Sequence, residues 1–216
     1  MAREKPPKPT LCFLVRHGQT PTTGSVLPGR APGLHLSDTG KQQAANAAAR
    51  LSDLGKTKIA AIYASPMERT QETAAPIAEA LELEIQTEDG LIEADFGAWT
   101  GQDLKALMKL PEWKQVQQYP SGFRFPDGES FGEMQLRITD TIQTLVARHR
   151  GESIVIVSHA DPIKAAVADA MGIHLDLFQR IVVGQCSISA IQYGDSPPII
   201  LSVNSMGDDL KQLIPS

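Results

Sequence analysis

Cysteine is nearly absent from this chain: Cys12 and Cys186 are the only two. Two thiols make no disulfide framework, and both lie in apolar strand-like runs, so they read as reduced core residues of a cytoplasmic protein. No C-x-x-C or H-E-x-x-H spacing occurs, so neither a metal site nor a resident cofactor is expected. Long apolar runs are missing too; none approaches the roughly 20 residues that span a bilayer, which argues against a membrane protein. The start, Met1 to Pro9, carries Lys and Pro without an apolar centre. It is no secretory signal and reads as a disordered leader. Basic clusters are also wanting. With a net charge of −5 and no stretch dense in Lys or Arg, the chain is not a nucleic-acid binder by composition.

What remains is an ordinary globular composition over 216 residues. A chain this long suits one α/β domain that buries roughly three quarters of its unfolded surface. Leu11-Cys12-Phe13-Leu14-Val15 is a continuous apolar run, the pattern of a strand buried on both faces. Arg16-His17-Gly18-Gln19-Thr20 follows it, at the carboxyl end where open α/β sheets bind ligands. The arrangement recurs: Ile154-Val155-Ile156-Val157 runs into Ser158-His159. Two buried strands each deliver a histidine at the exit.

Strand and helix patterns alternate, predicting a mostly parallel sheet with helices on both faces, a three-layer α/β/α sandwich. A long Gly- and Pro-bearing loop covers Gly18 to Leu36, and loops of that length are usually functional. Ser37 or Asp38 caps a helix stopped by Gly55; Ile59 to Tyr63 is a second strand. Ser65 and Pro66 read as N-cap and first position of the next helix, with a kink or break expected near Ala75 because of Pro76. Residues 91–128 form an irregular insertion over the sheet edge, with a small helix near Leu104 to Met108. Ser130-Phe131-Gly132-Glu133 is a capping box for a helix whose stripe is Phe131, Met134, Ile138, Ile142 and Leu145. Asp161 and Pro162 open another helix, which sets His159 at its amino end, a place that favours anions. Strands near 186–193 and 198–203 complete the sheet. Its edge strand either pairs across a homodimer axis or is covered by the tail, residues 206–216.

This inventory suits phosphoryl transfer through histidine. The nucleophile must be a neutral imidazole facing a phosphate dianion. Neighbouring guanidinium groups neutralise the phosphate and disfavour the imidazolium. His17 is the candidate nucleophile, Arg16 and Arg69 the guanidinium groups, and His159 a second donor. A carboxylic acid must protonate the leaving oxygen, and Glu93 is the best candidate, with Asp89 and Asp95 as competitors. Each residue has a blander reading. Arg69 alone would be a helix-surface cation, Trp99 a core lid, and Glu129 with Ser130 a helix start. His35, His149 and His174 read as surface or capping residues.

Leu14-Val15-Arg16-His17-Gly18-Gln19-Thr20 resembles the L-x-R-H-G-[EQ]-[ST] signature of the histidine phosphatase superfamily, of phosphoglycerate-mutase-like fold. The resemblance spans about residues 10 to 205. Gly33-Leu34-His35-Leu36-Ser37-Asp38-Thr39-Gly40 is similar to its P-L-[ST]-x-x-G helix entry, and Ala64-Ser65-Pro66-Met67-Glu68-Arg69-Thr70-Gln71-Glu72-Thr73-Ala74 to its S-[PD]-x-x-R-[TA]-x-E-T-A motif. The Glu93 segment, Gly128-Glu129-Ser130 and Val157-Ser158-His159 match three further motifs. The resemblance implies His17 as nucleophile, Glu93 as acid and base, and Arg16, Arg69 and His159 as the phosphate clamp. Gln19, Thr20 and Ala160 belong to the same matched segments and are expected at the substrate. Thr23 stands where the family often has Asn, Arg30 where Gly is common, and Ala160 where Gly follows the second histidine. Arg30 would then add a charge beside the leaving group. The Lys-bearing stretch of the mutases is absent after Trp99-Thr100-Gly101. Phosphatase activity on a small phosphorylated substrate is therefore implied. A cofactor-dependent phosphomutase and a non-catalytic phospho-ligand binder are the alternatives. Segments His174 to Arg180 and Gly207 to Leu210 resemble a bacterial branch of the family.

Overall fold

Among the described residues, six strands build one sheet: β1 (Thr10–Arg16), β2 (Ile59–Ala64), β3 (Ile85–Thr87), β4 (Ser153–Ser158), β5 (Ile188–Tyr193) and β6 (Ile199–Ser205). The computed structural model describes residues 8–54 and 58–207. Across the sheet the order is β3-β2-β4-β1-β5-β6. The strands β1 to β4 run parallel, β5 is antiparallel to β1, and β6 is antiparallel to β5. The helices are α1 (Asp38–Ser52), α2 (Glu68–Leu81), α3 (Leu104–Leu107), α4 (Pro111–Gln118), α5 (Phe131–Arg148) and α6 (Ala160–Ala170).

The continuous apolar runs of β1 and β4 are explained by two cores, one on each face. Cys12, Leu14, Ile154 and Ile156 pack with the stripes of α5 and α6. Phe13, Val15, Val155 and Val157 alternate with them and meet Ala48 and Leu51 of α1 and Ala74, Ile77 and Ala78 of α2. Successive strand residues point to opposite faces, so a strand covered on both must be apolar throughout. The Ser130 capping box is formed on both sides, and all five members of the predicted α5 stripe are buried.

Several local expectations move. The cap of α1 is Ser37; Gly55, most of the Met1 to Pro9 leader (residues 1–7) and the tail from 208 lie outside the described residues. Helix α2 begins at Glu68 with Met67 as N-cap, not at Ser65-Pro66. The Ser65 N–H donates to the Val157 carbonyl (3.0 Å), which keeps that residue on the edge of β4. No break occurs at Pro76: α2 runs through it, held by burial of Ala74, Ile77 and Ala78 on either side. Helix α6 starts at Ala160, one residue early. Cys186 sits in a turn before β5 with φ +53° rather than in the strand, and both thiols are free and buried. Helix α4 and the three-residue β3 carry too little pattern to be foreseen; only Val116 of α4 is buried. Among the described residues no helix is long and apolar enough to cross a membrane.

Candidate active site

Strand pairing assembles the site. The parallel register sets Arg16 opposite Ser158, so the residues that follow, His17 and His159, leave the sheet side by side. Their ring centroids are 5.3 Å apart. The His17 N–H donates to the Ser158 carbonyl (3.0 Å). Just beyond, the chain turns tightly under α1, where a Cβ on Gly18 would lie 2.6 Å from the Gly40 carbonyl oxygen. The Gly18 N–H donates to Thr73 Oγ1 (3.0 Å). The Gly18 carbonyl is 2.8 Å from His17 Nδ1. A carbonyl only accepts, so Nδ1 carries the ring proton and Nε2 keeps its lone pair. Burial, then the charges of Arg69 and Arg16, lowers the His17 pKa to about 3. The imidazole is neutral at physiological pH.

Arg69 stands one residue into α2 and is wholly buried. Its Nη2 donates to the Gly29 carbonyl (2.8 Å), while Nε and Nη1 are buried without a partner among the described residues. Arg16 Nη1 donates to the Val183 carbonyl (2.7 Å), and its Nε is likewise unpartnered. Burial lowers both pKa values, opposed by the negative charge of Glu93. His159 is the N-cap of α6 and fully buried. Its Nε2 meets Ser65 Oγ at 2.8 Å, and its Nδ1 has no hydrogen-bond partner. Unmade N–H bonds at buried atoms are costly, and an anion would complete them. Four such nitrogens beside one neutral imidazole suit a phosphate.

Glu93 lies across from the histidines, Oε2 being 4.0 Å from His159 Nδ1. Its Oε1 accepts from the Ala94 N–H (3.0 Å). Burial, then the charge of Asp161, pushes its pKa up to about 7. A carboxyl with that value can both give and take a proton near neutral pH. Its main chain is gripped from behind. Arg30 Nε donates to the Glu93 carbonyl (2.8 Å), and Arg137 of α5 donates to the carbonyls of Gly90 (2.8 Å) and Ile92 (2.9 Å). Glu129 holds both arginines, Arg137 through two bonds of 2.9 and 2.8 Å and Arg30 at 3.0 Å.

The remaining candidates divide. Ala160 begins α6, whose first N–H groups have no intrahelical acceptor. Thr23 accepts the Thr20 N–H (2.9 Å) and bonds the Thr20 hydroxyl (3.0 Å), so both threonines brace the loop. The Gln19 N–H is held by Gln43 Oε1 (2.9 Å). Arg30 donates to the Glu93 carbonyl and to the Glu129 carboxylate. Asp95 accepts the Gly97 N–H, and Trp99 packs against Phe123 and Phe125. His149 caps the end of α5 and His174 the start of a 3₁₀ turn, while His35 pairs with Glu72. Sequence reasoning missed Arg137 and the bond of Ser65 to His159. Neither has a local signal, since both act across the fold.

The chain belongs to the histidine phosphatase superfamily (branch 1), whose family model matches residues 12–206. Among curated relatives, phosphoserine phosphatase 1 of Hydrogenobacter thermophilus is 34% identical over 197 residues, 89% of this chain and 90% of its own. The bifunctional protein Rv2228c of Mycobacterium tuberculosis is 32% identical over 92% of this chain, which spans only 55% of that protein. A probable phosphoglycerate mutase GpmB of Yersinia enterocolitica is 30% identical over 86% of both chains. Among solved structures, a mutant of Entamoeba histolytica phosphoserine phosphatase in complex with phosphoserine superposes with a TM-score of 0.81 at 26% identity, covering 91% of this chain and 98% of that one. The superfamily and the phosphatases among these neighbours indicate phosphatase activity.

Proposed function

We propose that this protein hydrolyses a small phosphomonoester through a phosphohistidine on His17. The observation that carries the reading is a neutral His17, with its proton held on Nδ1, beside a wholly buried Arg69 with two unpartnered N–H groups. Arg16, Arg69 and His159 hold the phosphoryl oxygens, together with the free N–H of Ala160. His17 Nε2 attacks phosphorus; an N–P bond forms as the P–O bond to the leaving group breaks. Protonated Glu93 gives its proton to the departing oxygen. A water then attacks phosphorus, Glu93 takes the water proton, and the N–P bond breaks to release phosphate. Positioning and electrostatic stabilisation supply most of the acceleration in such transfers. Gln19, Thr20 and Thr23 shape the loop over the pocket, and Arg30 holds the acid rather than contacting substrate. The relatives named for phosphoserine make that compound the first to try. The relative named as a probable phosphoglycerate mutase keeps a phosphomutase as the second reading, recognisable by a requirement for a bisphosphorylated primer.

The test is hydrolysis of p-nitrophenyl phosphate in excess EDTA by wild type and His17→Ala. EDTA-resistant turnover lost in the variant is the expected result. Turnover that survives in the variant would falsify the assignment of His17.

A further inference from the structure

His159 has a constrained setting that its role as a hydrogen-bond donor to the phosphoryl group, proposed above, leaves unexplained. A neutral imidazole carries one ring proton, and the bond made by one nitrogen decides which nitrogen keeps it. Nε2 faces Ser65 Oγ at 2.8 Å. Nδ1 lies toward Glu93, 4.0 Å from Oε2, and makes no hydrogen bond. Ser65 and His159 are both 0% exposed, so the side chains around them govern which atom carries the proton. The Met67 N–H already donates into Ser65 Oγ (3.4 Å). A proton on Nε2 would send a second donor into that oxygen and bury the Ser65 hydrogen without an acceptor. It would also leave a bare lone pair on Nδ1, with no donor to offer a phosphoryl oxygen. The opposite arrangement gives the Ser65 hydroxyl an acceptor and leaves only one donor to be met in the pocket: the Ser65 hydroxyl donates to Nε2, and the ring proton resides on Nδ1.

We propose that Ser65 is a positioning residue: its hydroxyl locks His159 in the Nδ1–H tautomer, so that the ring presents a donor to the phosphoryl oxygens. The comparison with His17 gives this its chemical sense. His17 also carries its proton on Nδ1, but that edge is turned to the Gly18 carbonyl, leaving the Nε2 lone pair for attack. Both rings hold the same tautomer and offer opposite edges, one as nucleophile and one as donor. Bond partners supplied by the backbone and one serine assign the two roles. Burial and the charges of Arg69 and Arg16 push the His159 pKa well below its ordinary value, so the ring donates without becoming an imidazolium.

The experiment is a long-range ¹H–¹⁵N correlation on the full chain with ¹⁵N-histidine at pH 7, His159 being identified by loss of its signals in His159→Gln. Wild type should show a protonated Nδ1 and a bare Nε2 at His159. Ser65→Ala should lose that pattern and weaken kcat and inorganic phosphate binding on the order of ten- to a hundredfold, the range for outer partners of a functional imidazole. Ser65→Thr, which keeps the hydroxyl, should restore the tautomer. Unchanged signals of His35, His149 and His174 report an intact fold. A proton on Nε2 in wild type overturns the proposal, as does a Ser65→Ala protein with wild-type tautomer and rate. The spectrum needs no turnover, so it stands or falls apart from the phosphohistidine mechanism.

Discussion

Arg69 shows most sharply how function and stability are opposed at the level of one residue. A cation in the first turn of a helix meets the positive end of the dipole, and this one is also fully desolvated. One bond to Gly29 compensates only part of that. The arrangement makes sense when an anion completes it. Arg69→Met should therefore leave the unliganded protein about as stable as wild type, since apolar replacement of a buried charge is often neutral or stabilising. Activity should fall by about a hundred- to a thousandfold, the usual cost of removing one such donor. Thermal unfolding with and without orthovanadate checks the point: the vanadate-induced rise in Tm should vanish in the variant. A preserved rise would show that Arg69 does not hold the anion.

At the scale of elements, the exit of β1 is set by a crossing of backbones. The turn at Gly18 passes so close to α1 that a Cβ on Gly40 would sit 2.0 Å from the Gln19 carbonyl oxygen. That oxygen also accepts the Ser37 N–H and hydroxyl, so it cannot withdraw without loosening the cap of α1. Gly40→Ala should cost about 1–3 kcal/mol, the range for overpacking, and should lower turnover because the same turn orients His17. Urea unfolding and kinetics on one preparation test both halves; full stability and activity would mean that the crossing is free to adjust. On the other side of the sheet, α5 plays the matching part. Arg137 and Glu129 together grip the segment before Glu93, so the acid is mounted on a helix rather than left to a loop.

For the whole molecule, the site imposes a pH dependence on folding. The folded pKa of His17 is about 3 and that of His159 lies well below 6.5, so below pH 6.5 the unfolded chain takes up protons that the fold refuses. That stability is lost as pH falls. Glu93, raised from 4.5 to about 7, acts the other way, because between those values the fold holds a proton the unfolded chain has released. Between pH 5 and 6 two imidazoles oppose one carboxyl, and these groups make stability rise with pH by on the order of 1 kcal/mol per unit. In His17→Gln the remaining pair cancels, so the slope of unfolding free energy against pH should drop by about that amount. An unchanged slope would mean that His17 is charged in the fold. Much of this molecule was legible beforehand, because its signals are local. Continuous apolar runs mark β1 and β4, a capping box marks α5, and a residue after a buried strand is bound to emerge at the sheet's carboxyl edge. Other facts were decided only by tertiary structure. The order that sets β1 beside β4 brings His17 to His159. Helix packing buries Arg69, and Arg137, Arg30 and Ser65 find partners 45 to 94 positions away. A local pattern states which face a residue occupies, whereas its neighbour on that face is chosen by the packing of the whole chain, and the chemistry of this site resides in those neighbours.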